Sequence, residues 1–125
     1  MEIIKRTVGG SVVLKPVGRI ELTTAEPFRE QLIGALEALG APPAAVVIDC
    51  AHLDYVSSAG LRALMIAAKT AKSRGVGLGV AAMQPVVREI FAISRFDLVV
   101  PRFETVRDAF GKLDPAAVDH LATQP

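Results

Sequence analysis

The chain of 125 residues has no tryptophan, one tyrosine, five phenylalanines, one cysteine and two histidines. With aromatics at 5%, it lacks the stacked rings on which single-stranded nucleic acid is bound. Cys50 has no partner for an intramolecular disulfide, and one cysteine with two histidines is poor material for a zinc site, so no metal is expected. Charge of one sign is lacking too: 14 Lys+Arg against 13 Asp+Glu leave +1, which gives no reason to expect direct nucleic-acid or anionic-membrane binding. Apolar runs such as residues 63–68 stop far short of the roughly 18 residues of a membrane span, so no membrane insertion is expected. The opening Met1-Glu2-Ile3-Ile4-Lys5-Arg6 has no apolar signal core, and a cytoplasmic protein is expected. Repeats, low-complexity runs and linkers are lacking as well.

What is present is a core. Hydrophobic residues make up 51% and charged residues 22%, the balance of one packed domain over residues 1–125. Residues 2–8 read as a strand, and Gly9-Gly10 as a hairpin turn into a β-branched run over residues 11–20. Pro16 demotes that run to an edge strand or marks a bulge. Thr23-Thr24-Ala25-Glu26 has capping-box form, and Phe28, Leu32, Ala35, Leu36 and Leu39 follow at helical spacing before Gly40. Residues 44–50 are apolar without alternation, as in a strand covered on both faces.

Ser57 or Ser58 opens a second helix with Leu61, Leu64, Met65 and Ala68 on its core side, ending at Gly75. Residues 76–83 form a further strand, Gln84-Pro85 opens a third helix through Val87, Ile90 and Phe91, and residues 98–100 read as a short strand. A helix over 104–112 follows. Asp114-Pro115 then starts a short C-terminal helical extension, residues 114–125, with Asp114 as N-cap. A hairpin followed by alternating strands and helices predicts an α/β fold: a mixed, mostly parallel sheet of four to five strands with four to five helices.

The densest polar cluster is residues 49–60, between the central strand and the second helix, where open α/β sheets place their sites. Ser58, His52 and Asp54 have the residue types of a hydrolase triad. A nucleophile elbow, however, needs glycine where Val56 stands, so His52 reads as a solvated loop residue and no catalytic role is assigned. Gly75, Gly77 and Gly79 match no phosphate-binding loop. With a period of two they strip one strand face of side chains, which suits close packing of a helix.

The stretch Leu53-Asp54-Tyr55-Val56-Ser57-Ser58-Ala59-Gly60-Leu61-Arg62 resembles the signature of STAS domains, specifically bacterial anti-sigma factor antagonists. Other segments resemble the family in order: Val17-Gly18-Arg19-Ile20-Glu21 with Thr24-Ala25, Val47-Ile48-Asp49, and Pro85-Val86-Val87-Arg88. The resemblance implies the STAS fold and a non-enzymatic, cofactor-free regulator. Its unphosphorylated form binds an anti-sigma factor serine kinase and so releases a sigma factor; phosphorylation by that kinase switches it off, and a serine phosphatase reverses this. In that family the reactive serine lies two positions before the signature glycine, which the resemblance places at Ser58. Ser57 stands where the family commonly has aspartate and Ala59 where it has serine or threonine, which leaves Ser57 as the alternative acceptor. Glu21 falls where an acidic residue lies near the phosphorylated serine. A different role implied by the same family is that of a non-switching subunit in a stressosome-like particle or a lipid-transport ATPase.

If Ser57 caps the second helix through the Gly60 amide, Ser58 is left with an unengaged hydroxyl. Ser58, Arg62, Ile66, Lys69 and Ser73 then share one stripe, on which Ile66 is the apolar member. The expected partner surface is Glu21, Thr24, Ser57, Ser58, Gly60, Arg62, Ile66 and Lys69, with Gly60 either permitting close approach of a partner or packing against its own sheet. Cys50 reads as a buried small residue.

Overall fold

Glycine at positions 9 and 10 decides the first element pair. In the computed structural model, which describes residues 1–121, β1 (Glu2–Val8) and β2 (Ser11–Ile20) form an antiparallel hairpin around them, with Gly9 at φ 59°. The chain continues as α1 (Ala25–Ala38), β3 (Ala45–Asp49), β4 (Leu53–Val56), α2 (Ser58–Arg74), β5 (Gly77–Ala81) and α3 (Pro85–Ile93). A 3-10 turn (Phe96–Leu98), β6 (Arg102–Phe103), α4 (Val106–Leu113), a second 3-10 turn (Pro115–Ala117) and α5 (Val118–Leu121) complete it. Residues 122–125, the remainder of the expected C-terminal extension, lie outside the described residues.

The six strands of the described residues form one sheet in the order β1-β2-β3-β5-β6, with β4 paired to β2; only the β1–β2 pair is antiparallel. The expected α/β architecture is present with one strand more. Alternation along β3 divides the core: Val46 and Ile48 pack with Phe28, Leu36, Leu64 and Phe91, while Ala45 and Val47 pack with Ala109 and Phe110. That double coverage is why residues 44–50 carry no polar alternation. The glycine period of two has the expected cause at Gly77 and Gly79, where a Cβ would come within 3.3 and 3.0 Å of Leu113 on α4. Gly75 differs: it is the left-handed C-cap of α2. Among the described residues no helix is long and apolar enough to cross a membrane.

Several expectations are corrected. Pro16 marks no edge strand, because β2 is interior. It falls between residues 12–14, which pair with β3, and residues 18–20, which pair with β4, an interval where a missing N–H breaks no ladder bond. The register shift comes just after it, between Gly18 and Arg19. The capping box does not form: Thr24, not Thr23, is the N-cap residue of α1 and makes no side-chain cap. Residues 98–100 are no strand. Val99 and Val100 N–H both bond to Phe96 O in the 3-10 turn, and pairing resumes only after Pro101, at Arg102. On α2 the buried residues are Gly60, Ala63, Leu64, Ala67 and Ala71, whereas Met65 is 40% exposed. Asp114 does not cap with its side chain; its buried carboxylate accepts the Ser11 hydroxyl instead, at 2.6 Å.

Candidate functional site at the start of helix α2

Parallel pairing of β2 with β4 sets Ile20 opposite Val56, and the Ser57 N–H then bonds to Ile20 O at 2.8 Å. Two loop entrances, at residues 21–24 and 57–58, are thereby held together at one end of the sheet. Ser57 is extended (φ −79°, ψ 171°), and its Oγ accepts the Gly60 N–H at 3.2 Å, closing the first turn of α2. Ser58, the first helical residue, is exposed, and its hydroxyl makes no hydrogen bond among the described residues. The first turn carries no acidic side chain to occupy the positive end of the helix dipole. The expected division of labour between the two serines is what the structure has.

Gly60 is corrected. It is buried, and a Cβ there would meet Ile20 Cγ2 at 2.7 Å and Val56 Cγ1 at 2.8 Å. The absent side chain lets α2 close on its own sheet rather than admitting a partner. Thr24 turns back instead of forward: its Oγ1 accepts the Glu21 N–H at 2.8 Å and donates to Arg19 O at 3.2 Å, fixing the loop beside the serines. Glu21 is exposed and pairs with Arg19 at 2.9 Å, while the Arg19 guanidinium lies 4.5 Å from the Tyr55 ring centroid.

Arg62, Lys69 and Ser73 are exposed along the Ser58 stripe. Ile66 is half-buried, in a groove of about 310 Å³ between α1 and α2 whose walls include Leu22, Ala25, Arg29, Ala59 and Arg62. Leu22, 80% exposed, was missed by sequence reasoning, as were Arg19 and Tyr55. The signal for Leu22 was an apolar residue alone between Glu21 and Thr23 in a loop. Across the groove Arg29 pairs with Glu26, whose carboxylate holds the guanidinium above its ordinary pKa. The triad types do not assemble: Asp54 accepts from Gln84 Nε2 at 3.3 Å, and neither Asp54 nor the exposed His52 bonds to Ser58. Cys50 is buried as expected.

With this geometry established, the pattern of the STAS domain matches residues 2–109. The chain belongs to the STAS domain family. BtrV of Bordetella bronchiseptica, which carries the name of an anti-sigma factor antagonist, is 30% identical over 101 residues, 81% of this STAS chain and 84% of BtrV. A Thermotoga maritima protein described by the same name superposes with a TM-score of 0.79 at 15% identity, over 89% of this chain and 93% of that one. The Bacillus anti-sigma factor antagonist SpoIIAA superposes in its unphosphorylated form with a TM-score of 0.70 at 14% identity, over 99% of both chains. In its phosphorylated form the TM-score is 0.66 at 15% identity, over 89% and 98%. At these identities the solved structures show the shared STAS fold.

Proposed function

We propose that this STAS domain is an anti-sigma factor antagonist that binds an anti-sigma factor serine kinase in the cytoplasm until that kinase phosphorylates Ser58. A serine phosphatase restores the binding form. The observation that carries the reading is the unequal fate of two adjacent serines: Ser57 spends its hydroxyl on the Gly60 amide, and Ser58 presents an exposed, unengaged hydroxyl on the helix rim. BtrV and SpoIIAA, by their names, support the regulatory class. The domain acts as a binding switch and not as an enzyme, and needs no cofactor.

A phosphate on Ser58 adds about −1.5 to −2 charges at the positive end of α2, which suits the fold and changes only the outward surface. Glu21, Thr24, Ser58, Arg62, Ile66 and Lys69 form the contact surface, extended by Leu22. Gly60, under its own sheet, and Ser57, held in the cap, support it from behind. Incubation with the source organism's anti-sigma factor kinase and ATP should add one phosphate, which peptide mass spectrometry should place on Ser58. Ser58→Asp should weaken kinase binding at least roughly tenfold, about 1.4 kcal/mol, with little change in melting temperature. Phosphate on Ser57 alone would shift the site by one residue. No phosphate with a kinase active on another substrate would favour the non-switching subunit of an assembly.

A further inference from the structure

The outer edge of β1 has a feature that the switch does not use. β1 is the first strand of the sheet and, among the described residues, pairs with β2 alone, so seven residues, Glu2–Val8, offer an open edge there. A two-residue turn makes Val8 and Ser11 a hydrogen-bonded pair, and alternation then directs the backbone groups of Ile3, Lys5 and Thr7 outward. Ile4, on the opposite register, is 47% exposed. Glu2 and Arg6 stand on the same strand face as Ile4. Four residues of strand separate them by about 13 Å, too far to pair within one chain. Among the described residues neither makes an ion pair or a side-chain hydrogen bond, and Arg6 Nε is buried without a partner.

We infer that β1 is a homodimer edge, pairing antiparallel with β1 of a second copy about a two-fold axis through Ile4. This register sets outward-facing Ile3 against Lys5 of the second copy, so their backbones exchange hydrogen bonds. Ile4 meets Ile4 at the close, non-hydrogen-bonded position, and Glu2 lies opposite Arg6 twice over. Sliding the pairing one allowed step in one direction sets Lys5 against Lys5, a like-charge pair, and in the other sets Glu2 against Ile4 and leaves Arg6 without an opposite residue. The self-complementary spacing of Glu2, Ile4 and Arg6 singles out this register. A sheet edge guarded only by its cations would need no glutamate four residues from Arg6. None of the residues of the switch surface takes part, so this inference stands apart from the function proposed above.

Sedimentation velocity of the full chain over a concentration series tests the edge. The wild type should associate to a dimer, more weakly at high salt. Arg6→Glu and Glu2→Arg should each weaken the dimer roughly tenfold or more, and the double exchange should restore it, because the charges then face each other reversed. Ile4→Asp, which sets two carboxylates on the axis, should leave a folded monomer and covers the case in which altering Arg6 disturbs the fold. A wild type that stays monomeric to millimolar concentration would overturn the inference. So would a dimer indifferent to Ile4→Asp, or one that the double exchange fails to restore.

Discussion

At the hairpin end of the molecule and at the start of α2, serine hydroxyls lie beside backbone amides, yet they do opposite things. Ser11 is fully buried; its Oγ accepts the Ala45 N–H at 2.9 Å and donates to the Asp114 carboxylate at 2.6 Å. One side chain thereby ties β2, β3 and the α4–α5 junction together. Ser57 is partly buried and makes a single cap bond, and Ser58 makes none. The series runs from a saturated hydroxyl to a free one. Residue type is the same throughout; what separates a structural serine from one open to chemistry is how far its hydrogen-bonding capacity is already used.

The largest effect should come from the saturated end. Asp114→Ala removes a charge-assisted bond and leaves the Ser11 hydroxyl without its acceptor, and should cost about 2–4 kcal/mol in a urea melt. A loss within about 0.5 kcal/mol, the range of ordinary surface changes, would mean that the buried node is not structural. Gly60→Ala comes next, at about 1–3 kcal/mol, because its methyl group would overlap Ile20 and Val56. Ser57→Ala should cost about 1 kcal/mol through the lost cap, whereas Ser58→Ala should stay within about 0.5 kcal/mol. Equal losses at positions 57 and 58 would erase the distinction on which the switch reading depends.

The same contrast explains what the sequence disclosed. The hairpin, the fully covered β3, and the buried face of α1 were legible because periodicity and turn glycines report local geometry directly. That one of two adjacent serines caps α2 was legible for the same reason, though which one, Ser57, only the structure decides. Long-range bonds were not. Asp114-Pro115 reads as an N-cap pair, but Ser11, 103 residues earlier, takes the carboxylate. Thr23 and Glu26 have the spacing of a capping box, yet Thr24 folds its hydroxyl back to residues 19 and 21. β4 was hidden inside the polar cluster because Asp54 and Tyr55 break its apolar pattern, and only the end of β2 makes Leu53–Val56 a strand. On α2, Met65 looked like core by its chemistry; packing rotated the buried face toward Gly60, Ala63 and Ala67, small residues that let the helix approach the sheet.

Cys50 makes the fold report on its own opening. Its thiol is 2% exposed beside the end of β3, and burial, helped by the Asp49 charge, pushes its pKa from an ordinary 9.0 to about 12. At neutral pH the folded chain therefore holds almost no thiolate, the form that alkylating reagents attack. Labelling therefore needs an opening that exposes Cys50, and where such openings close faster than the reagent reacts, the labelling rate reports the population of the open form. The protonated thiol also leaves a mark in alkali. Above pH 9 the unfolded chain ionises its cysteine while the folded chain does not, so stability drains away by about 1.4 kcal/mol per pH unit until the folded group follows near pH 12. One sulfur atom thus reports both how readily its surroundings open and how much stability its protonated burial costs in alkali.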